Sequence, residues 1–183
     1  MYDNWEELEE EIKDCNKCKL CNKRRNIVFG TGNKEAELML IGEGPGADED
    51  IQGIPFVGKA GQLMNKAFIG LGIKREAVYI ANIVKCRPPN NRDPESDEAV
   101  ACINYLRNQV MLVKPKVIVL LGRIALTNIL GDEYRITASR GKIIEKKGIT
   151  YIPTWHPAAL LRDETKKIDF WNDLKLALSV LKN

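Results

Sequence analysis

Leu38-Met39-Leu40-Ile41-Gly42-Glu43-Gly44-Pro45-Gly46 is the stretch around which the chain is organised. An apolar run ends abruptly in a loop with three glycines and a proline. The run reads as a buried strand, and the loop as a place where backbone must come close to another group. In an open α/β sheet, ligands sit in the loops at the carboxyl ends of the strands. The rest of the chain is therefore read for groups that could be delivered to this loop.

Working outward, Val78–Val84 is β-branched and apolar, a second buried strand, with Asn82 unusually placed inside it. Val117–Leu121 reads as a third strand, ending at Gly122. Residues 143–152 suggest a hairpin around Lys147-Gly148, whose second arm leads through Thr154 into Trp155-His156-Pro157. Helical spacing is expected over residues 4–13, with Trp5, Leu8 and Ile12 on one face, and over Lys59–Ile69. A further helix should start at Asp93 as N-cap with Pro94 in its first position. Arg123–Leu130 reads as a short helix, and residues 165–181 as the last one, with Ile168, Trp171, Leu174, Leu178 and Leu181 as its buried stripe. Strands alternating with helices argue a parallel sheet with right-handed crossovers. Glu43 and Gly44 follow the first strand, Asn82 lies near the end of the second, and His156 follows the last. That convergence points to one site more strongly than any single residue does.

At 183 residues and 44% hydrophobic, the chain is expected to be one domain spanning 1–183. The net charge of +3 says little, but its distribution says more. Residues 3–11 carry six acids and no base, whereas 13–25 carry Lys13, Lys17, Lys19, Lys23, Arg24 and Arg25 against Asp14 alone. Arg135, Arg140, Lys142, Lys146 and Lys147 form a second basic cluster. Such clusters either face phosphate or are simply solvated surface. The first dozen residues do not resemble a signal peptide, and no apolar run reaches the ~20 residues of a membrane span. A cytoplasmic protein is the expectation, in a compartment that keeps thiols reduced.

Three of the five cysteines fall within seven residues, at Cys15, Cys18 and Cys21; the others are Cys86 and Cys102. In a reduced compartment this suggests a soft metal or cluster site rather than disulfides. Zinc and a four-iron cluster both accept four thiolates, and the spacing does not choose between them.

Four longer motifs add a resemblance. They are Gly42-Glu43-Gly44-Pro45-Gly46; Pro55-Phe56-Val57-Gly58-Lys59-Ala60-Gly61-Gln62-Leu63; Asn82-Ile83-Val84-Lys85-Cys86-Arg87-Pro88-Pro89 with Asn91-Arg92 beyond it; and His156-Pro157-Ala158-Ala159-Leu160-Leu161-Arg162. In this order, and with this cysteine pattern, the chain resembles the family 4, iron–sulfur, uracil-DNA glycosylases. The resemblance implies a three-layer α/β fold with a central four-stranded parallel sheet flanked by helices. It implies a 4Fe-4S cluster on Cys15, Cys18, Cys86 and Cys102, the segment 13–25 helping to hold it, with Cys21 a bystander. Cys18 and Cys21 are also three apart, so the spacing alone leaves that choice open.

The implied activity is a DNA glycosylase that flips uracil from single- or double-stranded DNA and hydrolyses its N-glycosidic bond, initiating base-excision repair. A monomer is expected, with no membrane partner. The implied substrate contacts are Gly42, Glu43, Gly44, Phe56, Asn82 and His156. Phe56 would stack on the flipped base, and Asn82 would pair with uracil N3–H and O4, a pattern that cytosine reverses. His156 would hydrogen-bond the oxyanion developing at O2. Exclusion of thymine would be steric, with Glu49 a candidate for closing that edge. Gly44 stands where cousins with a Gly-Gln-Asp-Pro loop carry an aspartate. Glu43 is then one candidate to activate water, and Asn82 is another. Leu160 would fill the gap left by the flipped base, and Arg162 would hold phosphate; of Leu160 and Leu161, one can be core and the other wedge. Two further readings use the same residues: an iron–sulfur electron carrier, and a nucleic-acid binder without catalysis. The first gives Asn82 and His156 no reason to converge. The second, in its covalent form, uses a histidine-containing insertion that is missing between Arg87 and Asp93.

Overall fold

In the computed structural model, which describes Tyr2 and residues 4–182, the apolar runs lie side by side as the sheet's interior. The strands are β1 (Thr31–Gly32), β2 (Leu38–Gly42), β3 (Tyr79–Asn82), β4 (Val117–Leu121), β5 (Ile144–Lys146) and β6 (Ile149–Thr154). Their order is β1-β3-β2-β4-β6-β5. The inner four, β3-β2-β4-β6, are mutually parallel, and each edge strand is antiparallel to its neighbour. The parallel core of four matches the expected sheet. The β5–β6 hairpin was anticipated at its place, whereas β1, only two residues long, extends the other edge without an apolar signal of its own.

The helices are α1 (Trp5–Lys13), α2 (Ala47–Gln52), α3 (Lys59–Leu71), α4 (Ser96–Val113), α5 (Gly122–Ile129), α6 (Ile136–Ser139), α7 (Pro157–Arg162) and α8 (Lys166–Leu181). They cover both faces, which is why β2 and β4 are buried along their whole length. Alternation along the strands divides the core. Met39, Ile41, Ala81, Ile118 and Leu120 pack with α1, α4 and α5 residues on one face. Leu38, Leu40, Ile80, Val119 and Ile152 pack with Phe68 of α3 and Leu174 of α8 on the other. No described helix is long and apolar enough to cross a membrane.

Three expected boundaries move, each for a local reason. The helix expected at Asp93 begins at Ser96. Glu95 caps it, in a capping box with Glu98 whose carboxylate accepts from the Glu95 N–H at 2.8 Å, while Asp93 turns away to pair with Arg123. The strand expected to reach Val84 ends at Asn82, although Ile83 and Val84 still donate to the Gly42 and Glu43 carbonyls at 3.0 and 3.1 Å. The buried face of α8 centres on Phe170, Leu174 and Ala177, with the expected Leu178 and Leu181 partly buried against the same cluster, whereas Ile168 is exposed. A buried Asp173 joins that face: it accepts from Arg140 Nε at 3.0 Å and Thr154 Oγ1 at 2.7 Å. The acidic run after the glycine loop forms the helix α2, closed by Gly53 in the left-handed conformation.

The topology places the opening stretch at a switch point. From β2 the chain crosses to β3 on one side, then returns past it to β4 on the other. The Gly42–Gly46 loop thus sits where two crossovers diverge, the crevice that open α/β sheets use for ligands.

Candidate active site

Above that crevice lies a cavity of about 520 Å³, bordered by the Glu43–Gly46 loop, Phe56, Asn82, Asp93, His156 and Arg162. All four sequence motifs therefore reach one space. Gly42 and Asn82 are register partners on adjacent strands. A Cβ on Gly42 would stand 2.5 Å from Asn82 Oδ1 and 2.6 Å from Phe56 Cζ, so the glycine is what lets amide and ring approach together.

Phe56 is held in a backbone conformation that its own side chain disfavours, with φ 54°. Such strain costs on the order of 1–3 kcal/mol and persists only where the surroundings impose it. Here they do. Arg75 donates to the Phe56 carbonyl at 3.1 Å, to the Pro55 carbonyl, and to Asn65 Oδ1 at 2.7 Å. Glu49 Oε1 accepts from the Val57 and Gly58 N–H groups at 3.0 and 2.9 Å. Glu49 therefore acts on the loop that carries Phe56. A Cβ on Gly61 would overlap the Phe56 carbonyl, so α3 packs against this loop only through a glycine. The Phe56 ring ends 5.6 Å from the His156 ring, inclined by 34°.

Asn82 is 1% exposed, and its Oδ1 has no hydrogen-bond partner among the described residues. Buried acceptors are normally paired, because an unpaired one costs about 1–3 kcal/mol. An amide left open at a cavity wall is ready for a donor from a ligand.

His156 caps α7: its Nδ1 accepts from the Ala158 N–H at 3.1 Å. Burial, with a smaller contribution from Arg162, pushes its pKa down to about 4. The ring is thus neutral near pH 7, with Nδ1 an acceptor and the proton on Nε2, a donor. Glu43 moves the other way. Burial and then the neighbouring Asp93 raise its pKa to about 7, against the opposing pull of Arg123 and Arg162. One carboxyl poised near neutrality beside a neutral imidazole is an arrangement suited to proton handling.

Adjacent leucines separate on α7. Leu160 is 1% exposed and packs in the core with Met64, Phe68 and Phe170, so it is not available to enter a duplex; the wedge role expected of it is corrected. Leu161 is 50% exposed, next to the exposed Arg162. Sequence reasoning also missed Arg75, Asp93 and Arg123. Arg75 lies on a short turn far from the motifs, with no pattern to mark it, while Asp93 was read only as a helix cap.

The cysteines gather on the opposite side of β3. Cys15, Cys18, Cys21, Cys86 and Cys102 border one narrow recess, and none is in a disulfide. Donors face the sulfurs: Arg24 reaches Cys86 Sγ at 3.4 Å, and the Lys85 N–H reaches Cys102 Sγ at 3.3 Å. The Tyr105 hydroxyl borders the same recess, buried and unpartnered among the described residues. Burial pushes the Cys18, Cys86 and Cys102 thiols up, and the Cys21 thiol donates to Asn22 Oδ1 at 3.4 Å. Among the described residues no three ligating side chains close round a single ion. Thiols gathered in one recess, with N–H donors facing two of the sulfurs, are a donor set that a four-thiolate metal or cluster site uses.

The sequence is similar to those of known proteins. Residues 29–175 match the family model described as "Uracil DNA glycosylase superfamily". The chain is 47% identical over 168 residues to a type-4 uracil-DNA glycosylase of Sulfurisphaera tokodaii, covering 87% of this chain and 76% of that protein. It is 44% identical to the type-4 enzyme of Thermotoga maritima, over 92% and 90% of the two chains, and 41% identical to that of Archaeoglobus fulgidus, over 93% and 89%. With the parallel sheet, the glycine loop at its switch point and these likenesses in agreement, the chain belongs to the uracil-DNA glycosylase superfamily.

Proposed function

We propose that this protein is a uracil-DNA glycosylase that flips uracil out of single- or double-stranded DNA and hydrolyses its N-glycosidic bond. The observation that carries the reading is the buried, unpaired Oδ1 of Asn82 beside Phe56 at the cavity wall. Uracil N3–H is the donor this acceptor lacks, and the amide N–H₂ answers O4. Cytosine offers an acceptor and a donor at those positions, so both contacts would be repulsive, and a buried polar site rejects such a partner strongly. Stacking on Phe56, worth about 1–3 kcal/mol, offsets part of the few kcal/mol spent in unpairing the base.

As the glycosidic bond breaks, electrons move onto the uracil and positive charge develops on the sugar. The Nε2–H of neutral His156 donates to the oxyanion at O2, with the backbone N–H groups of the Glu43–Gly44 loop beside it; one such donor is typically worth about 10²–10³ in rate. Glu43, ionised above about pH 7, takes the proton of the attacking water. Arg162 meets phosphate, and exposed Leu161 enters the space left by the base. Cys15, Cys18, Cys86 and Cys102, which border one recess, would hold a 4Fe-4S cluster, which would link α4, the end of β3 and the segment after α1.

A uracil-containing oligonucleotide, incubated with the protein and then heated in alkali, should break at the uracil. Breakage no greater than that of a Phe56→Ala, His156→Ala control would sink the proposal.

A further inference from the structure

Lys85 is 1% exposed, and among the described residues its ammonium forms no pair with a carboxylate. Burying a cation is costly, and an apolar side chain could fill the same space. What Lys85 does instead is hold main chain and amide. Its Nζ donates to the Asn82 carbonyl at 3.0 Å and to Gln109 Oε1 at 2.6 Å. Gln109, itself fully buried on α4, is fixed in turn: its Nε2 donates to the Phe29 carbonyl at 2.9 Å and to Tyr79 Oη at 3.1 Å. The main chain of Lys85 is tied as well, its N–H to Cys102 Sγ at 3.3 Å and its carbonyl to the Val28 N–H at 2.7 Å.

One residue therefore joins the cysteine recess, α4 and the peptide of Asn82. The side chain of Asn82 faces the cavity with an acceptor that nothing in the protein satisfies, and its strand ends there. A bare amide at a strand terminus has freedom that a base-reading group must not have. We infer that Lys85 is a positioning residue for base recognition: it clamps the Asn82 carbonyl so that the amide stands in reading position before DNA arrives. The inference rests on the reading of Asn82 as the group that pairs with uracil.

The test is a double-mutant cycle on the full-length protein, read by single-turnover uracil release with enzyme in excess. Lys85→Met should lower kcat/KM by about 10–100-fold, with melting temperature and iron content near those of the unaltered protein. In an Asn82→Ala background the same change should cost less than about 3-fold, because its effect passes through Asn82. No loss in Lys85→Met, or an equal loss in both backgrounds, overturns the inference. Wild-type rates in Asn82→Ala alone overturn instead the reading of Asn82. Should Lys85→Met fail to fold, Gln109→Met releases the same ammonium from its nearer acceptor; its smaller loss must likewise vanish beside Asn82→Ala, and an additive loss counts against the clamp.

Discussion

Gly42 and Asn82 face each other across two parallel strands, and the absence of one methyl group at Gly42 is what leaves room for the Asn82 amide. A Gly42→Ala change puts a Cβ 2.5 Å from Oδ1 and 2.6 Å from the Phe56 ring. Overpacking of this kind costs about 1–3 kcal/mol. The expected outcome is a melting temperature lowered by a few degrees and uracil release slowed at least about 10-fold, since both recognition groups must shift.

The unpaired acceptor of Asn82 predicts opposed effects on stability and function. Asn82→Leu keeps the forked side-chain shape, its larger methyl groups extending toward the cavity, and removes a buried unsatisfied group, so the free protein should gain about 1 kcal/mol in a urea titration. Uracil release by the same variant should fall by about 10² or more. A loss of stability would mean that the amide has a partner in the fold.

Glu43 sets the pH profile. Its pKa is raised to about 7 by burial and then Asp93, with Arg123 and Arg162 opposing, while His156 is held down near 4 and does not titrate in the same range. Uracil release should therefore rise as pH passes through about 7, and the rise should flatten in Glu43→Gln at a lower plateau. Stability follows with the opposite sense. A raised folded pKa means that the fold favours the neutral acid, so the contribution is full below the ordinary value of 4.5 and is lost as pH rises through about 7. Glu43→Gln should stabilise the protein at about pH 8.5, by on the order of 2 kcal/mol, and do little at about pH 4.

The two leucines of α7 should divide cleanly. Leu160→Ala empties a core site and should cost about 2–5 kcal/mol of stability. Leu161→Ala should leave stability within about 0.5 kcal/mol while slowing release from duplex DNA more than from single strands, because only the duplex leaves a gap to fill.

Thiol substitutions separate ligands from bystander. Cys102→Ser should lose iron and acid-labile sulfide after anaerobic purification, together with at least about 5 °C in melting temperature. Cys21→Ser should keep both. A colourless protein carrying zinc and no iron would contradict the cluster.

Much of this was legible before any coordinates. The strands β2 and β4 are uninterrupted apolar runs, because a parallel sheet is covered on both faces, and a glycine or turn ends each. Their order brings Glu43, Asn82 and His156 to one cavity, as the carboxyl-end rule requires. What stayed hidden depends on partners distant in sequence. Arg75 acts on Phe56 from a turn with no motif. Glu49, which lines the cavity, also ties the Phe56 loop from within α2, a helix too short and acidic to show an apolar periodicity. On a helix as short as α7 no periodicity says which of Leu160 and Leu161 turns inward. Asp173, held by Arg140 and Thr154, is buried on the inner face of α8 where its charge gave no sign of burial.

The most direct measurement is the quantity of free uracil released from matched duplexes that differ only in carrying uracil or cytosine at one position. The account predicts stoichiometric uracil from the first, no base from the second, and loss of release in Asn82→Ala. Equal release from both duplexes, or none from either, would contradict it.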